Sequence, residues 1–276
     1  MAKLLRRSLE GPLKPERARA VETGIDVIGD IAIVKLAEPV KEQGGLVGEA
    51  VLASMKNVKA VYDQEGGLEG DFRLRRLRRL AGEDRTLTMH RENGLRFMVD
   101  VEKCYFSPRL STERMRIAAL AQEGERALNM FAGVGPFSIT LARRKGIEVW
   151  SNELNEVAYK LHLENNRLNK VEPLMHMFNQ DAVSLPESID VKFDRILMPH
   201  PSQSNRFLPE ALKMVKKGGW IHYYRHHSGA DVAEAQRRLG EELREILGDR
   251  AEYTSRRVRE IGPHYVELVA DIHVAG

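Results

Sequence analysis

The sequence predicts an α/β protein, a largely parallel sheet covered by helices on both faces, preceded by a smaller α+β unit. Three observations carry this reading. From about residue 112, short apolar strands alternate with helical stretches, the rhythm of repeated βαβ units. Within that region ALNMFAGVGPFSI, residues 127 to 139, reads as a strand passing through a glycine-bearing turn into a helix, which offers backbone N–H groups to a small ligand. Upstream, the segments are shorter and richer in turns. The expected division is a basic arm at 1–20, a small α+β domain at 21–110 and the larger α/β domain at 111–276.

Taken in order, residues 1–20 are basic and carry Pro12 and Pro15, which suits a loosely held arm or edge. Residues 25–36 alternate around Gly29 and predict two short strands or one bulged strand. An amphipathic helix at 46–55 and a strand at 58–62 follow. In FRLRRLRRL, residues 72–80, leucine recurs every third position and leaves Arg73, Arg75, Arg76, Arg78 and Arg79 around the other faces of a helix or strand. Strands at 86–90 and 95–99 flank the turn Glu92-Asn93-Gly94. The larger domain opens with a helix at 111–121. Helices at 136–144, 155–168, 207–215 and 230–247 then alternate with strands at 148–150, 173–177, 193–197 and 220–224. The final strands, 253–258 and 265–273, have no helix between them and predict an antiparallel hairpin at one edge.

Composition excludes several classes. No run approaches the eighteen apolar residues of a membrane span, and the first twenty residues are too polar for a secretory signal, so a cytoplasmic location is expected. With Cys104 as the single cysteine, an intrachain disulfide is impossible and no metal centre is expected. Forty-three basic against forty acidic side chains leave a formal charge of +3, so any partner must be read from local clusters. Five arginines within seven positions repel one another unless acids or phosphates neutralise them, and the run is either a solvated surface or a phosphate-binding face.

Ligands of such sheets bind beyond the carboxyl ends of the strands, near the point where strand order reverses. Gly133 and Gly135 follow the strand at 128–131, and Glu153 lies near the end of the next one, where an acid can hydrogen-bond a ribose. The spacing fits the dinucleotide glycine signature poorly, since Ser138 follows Phe137. S-adenosylmethionine has no pyrophosphate and does not need the third close-approach glycine. On that cofactor, residues 131–137, with Phe131, Gly133, Val134, Gly135 and Phe137, would wrap the amino-acid part. Glu153 and Leu154 would meet the ribose, and Asp181 with Ala182 the adenine. Glu153 and Asp181 are equally the kind of residue that caps a helix. Residues 199–204, PHPSQS, would line the reacting centre.

Long segments of the chain resemble the archaeal and eukaryotic tRNA guanine-37 N1-methyltransferases: DVIGDIAIV (26–34), GEAVLASMKNVKAV (48–61), GDFRLRRLRRLAG (70–82), HRENGLRFMVDVEKCYFSPRLSTERMRIA (90–118) and NMFAGVGPFSI (129–139). The resemblance implies a class I, Rossmann-like S-adenosylmethionine-dependent methyltransferase domain behind a small domain that positions it on tRNA. It also implies that the separate N-terminal domain with which many relatives grip the outer corner of tRNA is absent. In YFSPRLSTER, residues 105–114, it assigns catalytic positions to Tyr105, Arg109 and Glu113. Glu113 would take the N1 proton of guanine and Arg109 would stabilise charge on O6. An Arg109 to Glu113 salt bridge one helical turn apart accounts for the same pair without catalysis.

The expected partner is the tRNA anticodon stem-loop, bound by a monomer, with no DNA or membrane involved. Arg73, Arg75, Arg76, Arg78 and Arg79, with a second cluster at Arg256, Arg257 and Arg259, are the candidate backbone contacts. Pro199, His200 and Pro201 would shape the target pocket. There the family pattern is Asn-Leu-Pro, so Pro199 replaces an asparagine and can supply neither an amide nor a backbone N–H. Asn129 likewise stands where an aspartate is common. Two other readings follow from these departures: aminocarboxypropyl transfer from the same cofactor to a wybutosine precursor, and a non-catalytic RNA-binding protein that keeps the fold.

Overall fold

A computed structural model of the chain describes residues 24–276, and the arm expected at 1–20 lies outside the described residues. Its first strands, β1 (Asp26–Ile28) and β2 (Ile31–Val34), pair antiparallel through a turn at Gly29, whose φ of +58° suits glycine. Helix α1 (Gly44–Ser54) carries the chain back so that β3 (Ala60–Glu69) runs parallel to β2, and β4 (Leu74–Gly82) returns antiparallel to β3.

The leucine-arginine run is therefore a strand. Leu77 packs into one apolar cluster, with Ile33, Tyr62 and Phe97, and Leu80 into the other, with Val34, Val47 and Val61. A sheet covered on both faces accepts leucines at odd spacing, which in a one-sided strand would leave one of them in solvent.

Hairpin β5 (Leu87–Glu92) and β6 (Leu95–Asp100) turns through Asn93 and Gly94, both at positive φ, the conformation of a tight primed turn. The free edge of β6 is satisfied by two asparagine side chains rather than by another strand. Asn165 receives the Met98 N–H at 2.7 Å and donates to its carbonyl at 3.1 Å, and Asn169 does the same for Arg96 at 3.0 and 2.7 Å. This joins the hairpin to the larger sheet's helical layer.

That sheet follows α2 (Ser111–Leu120). Its elements are β7 (Arg126–Asn129), α3 (Pro136–Lys145), β8 (Glu148–Asn152), α4 (Glu156–Asn169), β9 (Met175–Phe178), the short α5 (Leu185–Ser188), β10 (Phe193–Met198), α6 (Ser204–Met214), β11 (Val215–Ser228), α7 (Val232–Leu247), β12 (Ala251–Gly262) and β13 (Tyr265–Val274). The spatial order is β12-β13-β11-β10-β7-β8-β9. The five strands from β7 to β11 are mutually parallel, and β13 runs antiparallel between β11 and β12. The expected terminal hairpin is present, and its second strand makes the join to the sheet. From β7 the chain builds outward through β8 and β9, then returns to β10 on the other side, which puts the switch point between β7 and β10. No helix among the described residues is long and apolar enough to cross a membrane.

Candidate active site

The loops after β7, β8, β9 and β10 close around one cavity of about 140 Å³, roofed by the tip of the β3–β4 hairpin. At its floor Gly133, with φ +56°, turns its N–H toward Glu153, whose Oε2 accepts it at 2.7 Å while Oε1 accepts the Asn155 N–H at 2.8 Å. Burial pushes the Glu153 carboxyl above its ordinary range, and the two amides oppose that by holding the charged form. Leu154, Ala182, Phe131 and Phe207 supply apolar walls, and Asp181 stands at the rim.

Of the expected cofactor residues, Phe131, Gly133, Glu153, Leu154, Asp181 and Ala182 line this cavity, whereas Val134, Gly135 and Phe137 do not. Val134 and Phe137 are buried in the core, and Gly135 faces the ring of His162. The turn meets the cavity along one edge, because successive residues at a strand-to-helix junction point in different directions. Asp181 does cap a turn, its Oδ1 accepting the Val183 N–H at 3.0 Å. Asn129 is fully buried and donates to Ser138 Oγ at 3.0 Å, an internal tie between β7 and α3.

Gln203, within the expected 199–204 segment, lines the cavity, and so do Asp71, Phe72, Asn152, Asn155, Arg206 and Phe207, which the sequence did not single out. The signal for Asp71 and Phe72 was present in Gly70-Asp71, a turn pair at the head of the leucine-arginine strand. Asn152 ties three loops together, donating to the Met130 and Gln180 carbonyls at 3.3 and 3.0 Å and accepting the Gln180 N–H at 3.2 Å.

His200 reaches the cavity; Pro199 and Pro201 do not line it. The His200 Nε2 meets the Asp71 carbonyl at 3.1 Å, so this ring nitrogen is the donor, and Gln203 donates to Asp71 Oδ1 at 2.8 Å. Those two contacts pin the hairpin tip across the site. Burial holds His200 below its ordinary pKa, with the Asp71 carbonyl acting in the opposite sense.

The arginine run is divided by the strand. The Arg73 guanidinium stacks over the Tyr105 ring, 4.4 Å from its centroid, and both residues line the cavity. Arg75 is buried, donating to the Phe106 carbonyl at 3.0 Å and to Gln64 at 3.3 Å. Arg78 pairs with Asp63 at 3.0 Å and Glu65 at 3.1 Å. Arg76 and Arg79 are exposed, each with an acid only at 3.9 Å. The expectation of one five-arginine face is thus corrected: the strand sends Arg75 and Arg78 to opposite faces of the sheet, where the Phe106 carbonyl with Gln64, and Asp63 with Glu65, take them up.

Arg109 and Glu113 do not meet. Pro108 starts a 3₁₀ turn at Pro108–Leu110, so Arg109 precedes α2 and points to Asp26 at 2.7 Å. Glu113 is buried with all four lone-pair sites taken. Its Oε1 accepts from Arg116 Nη2 at 2.8 Å and from Tyr224 at 2.8 Å, and its Oε2 from Arg116 Nε at 3.0 Å and from Arg256. Arg257 pairs with Glu260 at 2.8 Å.

Behind Tyr105 and Arg73 lies a second, more open groove of about 620 Å³, bordered also by Lys35, Arg75, Arg109 and Arg259. The Tyr105–Arg73 stack is therefore a wall shared by a small enclosed cavity and a larger basic groove.

A family model described as the TRM5/TYW2 methyltransferase domain matches residues 88–247, and one described as the TYW2 N-terminal domain matches residues 5–86. The tRNA (guanine(37)-N(1))-methyltransferase Trm5b of Pyrococcus abyssi is 40% identical, the match covering 94% of this chain and 77% of that protein. Among solved structures, the complex of aTrm5 and tRNALeu is similar at a TM-score of 0.85 with 32% identity, covering 99% of this chain and 79% of that one. P. horikoshii TYW2 in complex with MeSAdo is similar at 0.79 with 27% identity, covering 100% and 99%.

Proposed function

Since this chain belongs to the TRM5/TYW2 methyltransferase family, we propose that it transfers the methyl group of S-adenosylmethionine to N1 of guanine 37 in tRNA. The observation that carries this reading is the shared wall: Tyr105 and Arg73 border both the cavity at the switch point and the basic groove. A two-substrate transfer needs two such compartments meeting at one place.

The cavity fits the cofactor. Glu153 is a carboxylate fixed by two amides at the end of β8, suited to ribose hydroxyls, and Phe131, Leu154, Ala182 and Phe207 offer an apolar bed for an adenine. S-adenosylmethionine, when bound, supplies an electrophilic methyl group on a sulfonium. The groove receives the target nucleotide, which must leave its stack to present N1. Arg73, the guanidinium that lines both compartments, then replaces Arg109 as the group that stabilises charge on O6 as the N1 proton leaves. Arg109, on the groove side, is left to position RNA.

Glu113 serves as the base in this reading only when one of its partners withdraws, because no lone pair is otherwise open. Arg256 is the partner that can do so. Its side chain is 44% exposed, against 21% for Arg116, and Tyr224 is fully buried. An RNA phosphate is a competing acceptor for that guanidinium. The exposed arginines, Arg76, Arg79 and Arg257, contact the backbone of the anticodon stem-loop. Both compartments are built from one chain, so a monomer suffices, and we place the activity in the cytoplasm.

Incubation with unmodified tRNA transcript and methyl-labelled cofactor should yield 1-methylguanosine at position 37. Label at another nucleotide, an aminocarboxypropyl adduct in the nucleoside mass, or binding without transfer would each reject the assignment.

A further inference from the structure

Arg259 follows an irregularity in the β12–β13 ladder. Arg257 pairs with Leu268 and Arg259 with Glu267, so two steps on one strand match one on the other. Adjacent residues of β13 face opposite sides of the sheet, and the extra residue, Val258, brings Arg259 onto the side of Glu267. There the guanidinium holds three groups at once, with Nη2 lying 2.7 Å from Glu267 Oε2 as well as reaching Tyr105. Nε donates to Glu267 Oε2 at 2.8 Å, Nη1 to Ser107 Oγ at 2.8 Å and Nη2 to the Tyr105 hydroxyl oxygen at 2.9 Å.

Glu267 is buried and neutralises the charge, and the Arg259 side chain is only 19% exposed. A guanidinium so enclosed and so fully paired is poorly placed to hold an RNA phosphate, unlike Arg257. Its geometry serves the segment 105–107 instead. Tyr105 is gripped at its hydroxyl by Arg259 and covered on its ring by Arg73, so one side chain of the terminal hairpin sets where the wall between cavity and groove stands.

We propose that Arg259 is a positioning residue for the transfer step, holding Tyr105, and through its ring the Arg73 guanidinium, in register between cofactor and target base. The inference rests on the methyltransferase reading of the two compartments. It adds that a residue of the edge strand, remote in sequence, acts through Tyr105 rather than by touching RNA. The bulge at Val258 is the feature that aims it.

The test compares wild type, Arg259→Gln, Arg259→Lys, Tyr105→Phe and the double variant Arg259→Gln/Tyr105→Phe, using the full chain and full-length tRNA transcript. Single-turnover methylation at saturating tRNA, tRNA affinity, cofactor affinity and thermal unfolding are measured for each. Arg259→Gln should slow the single-turnover step by roughly tenfold while changing tRNA affinity by less than about threefold. Tyr105→Phe should slow it comparably, and the double variant should be no slower than the worse single variant, since both remove one link. Arg259→Lys, which keeps the charge but reaches fewer partners, should regain part of the rate.

A loss confined to tRNA affinity, or rate effects that multiply in the double variant, would overturn the inference. Should Arg259→Gln fail to fold, Arg259→Lys with and without Tyr105→Phe makes the same comparison. A wild type that forms no 1-methylguanosine would overturn the functional reading itself, whereas an active wild type with independent effects counts against Arg259 alone.

Discussion

Gly135 lies so close to His162 that a Cβ on the glycine would sit 2.2 Å from the ring's Cδ2, and the glycine holds a φ of +93° there. One residue comes from the turn that opens α3 and the other from the middle of α4, so the glycine turn is seated on the helix beneath it. Gly135→Ala is expected to destabilise the fold by about 3 kcal/mol, from left-handed backbone strain together with overpacking. Adding His162→Ala should relieve the steric part and leave the backbone part. Thermal unfolding of the three proteins checks this; a Gly135→Ala variant as stable as wild type would show that the turn yields easily.

The same histidine makes stability depend on pH. His162 is fully buried with neither ring nitrogen partnered among the described residues, and burial pulls its pKa down to about 3 from an ordinary 6.5. Below pH 6.5 the unfolded chain binds a proton that the folded chain refuses, so the contribution is complete above 6.5 and shrinks as pH falls toward 3. Between pH 6.5 and 5 the loss should be about 2 kcal/mol. Urea unfolding of wild type and His162→Gln across that range tests it, and parallel pH slopes for the two would refute the assignment.

Glu113→Gln is expected to slow methyl transfer by roughly a hundredfold or more, with cofactor affinity nearly unchanged, if Glu113 is the base. Arg256→Gln frees one lone-pair site on Oε2 and should cost much less, within about tenfold. Single-turnover rates distinguish the two. Normal turnover in Glu113→Gln removes it as the base, and an Arg256→Gln loss as large as that of Glu113→Gln would mean that the ion pair positions the carboxylate rather than masking it.

The divided arginine strand predicts two different phenotypes. Arg75→Gln removes a buried donor from the Phe106 carbonyl and should destabilise the protein by about 1–3 kcal/mol. Arg76→Ala with Arg79→Ala should leave stability nearly unchanged, weaken tRNA binding and reduce its salt dependence by about two phosphate contacts. Unfolding midpoints and binding at several salt concentrations separate these outcomes. Equal salt slopes with and without Arg76 and Arg79 would make their surface a solvated one.

Much of the fold was legible because its signals are local. The βαβ rhythm, the turn at Asn93-Gly94 and the glycines before α3 each follow from residue types a few positions apart, and the large sheet and hairpin form where those signals lie. The leucine-arginine run was harder, since a spacing of three suits neither a one-sided helix nor a one-sided strand. Only a sheet packed on both faces resolves it, and the packing partners are Phe97 on one side and Val47 on the other. Strand β3 extends past its apolar start into Asp63-Gln64-Glu65, where cross-strand pairing to arginines replaces hydrophobic alternation.

By itself the sequence determined the class of fold, the place of the glycine turn, and the acids Glu153 and Asp181 at the ends of consecutive strands, because periodicity and turn chemistry are properties of neighbouring residues. The tertiary structure decided where each arginine lies. Arg109, singled out beside Glu113, is drawn away by Pro108 to Asp26, while Arg73, one of five in a run, is brought onto Tyr105. It also decided that Glu113 is held by Arg116, Arg256 and Tyr224, and that a bulge in the last hairpin aims Arg259 at Tyr105. Those pairings join residues up to about 150 positions apart, and charge and hydrogen-bond geometry choose among many arginines only after the sheets have set their distances.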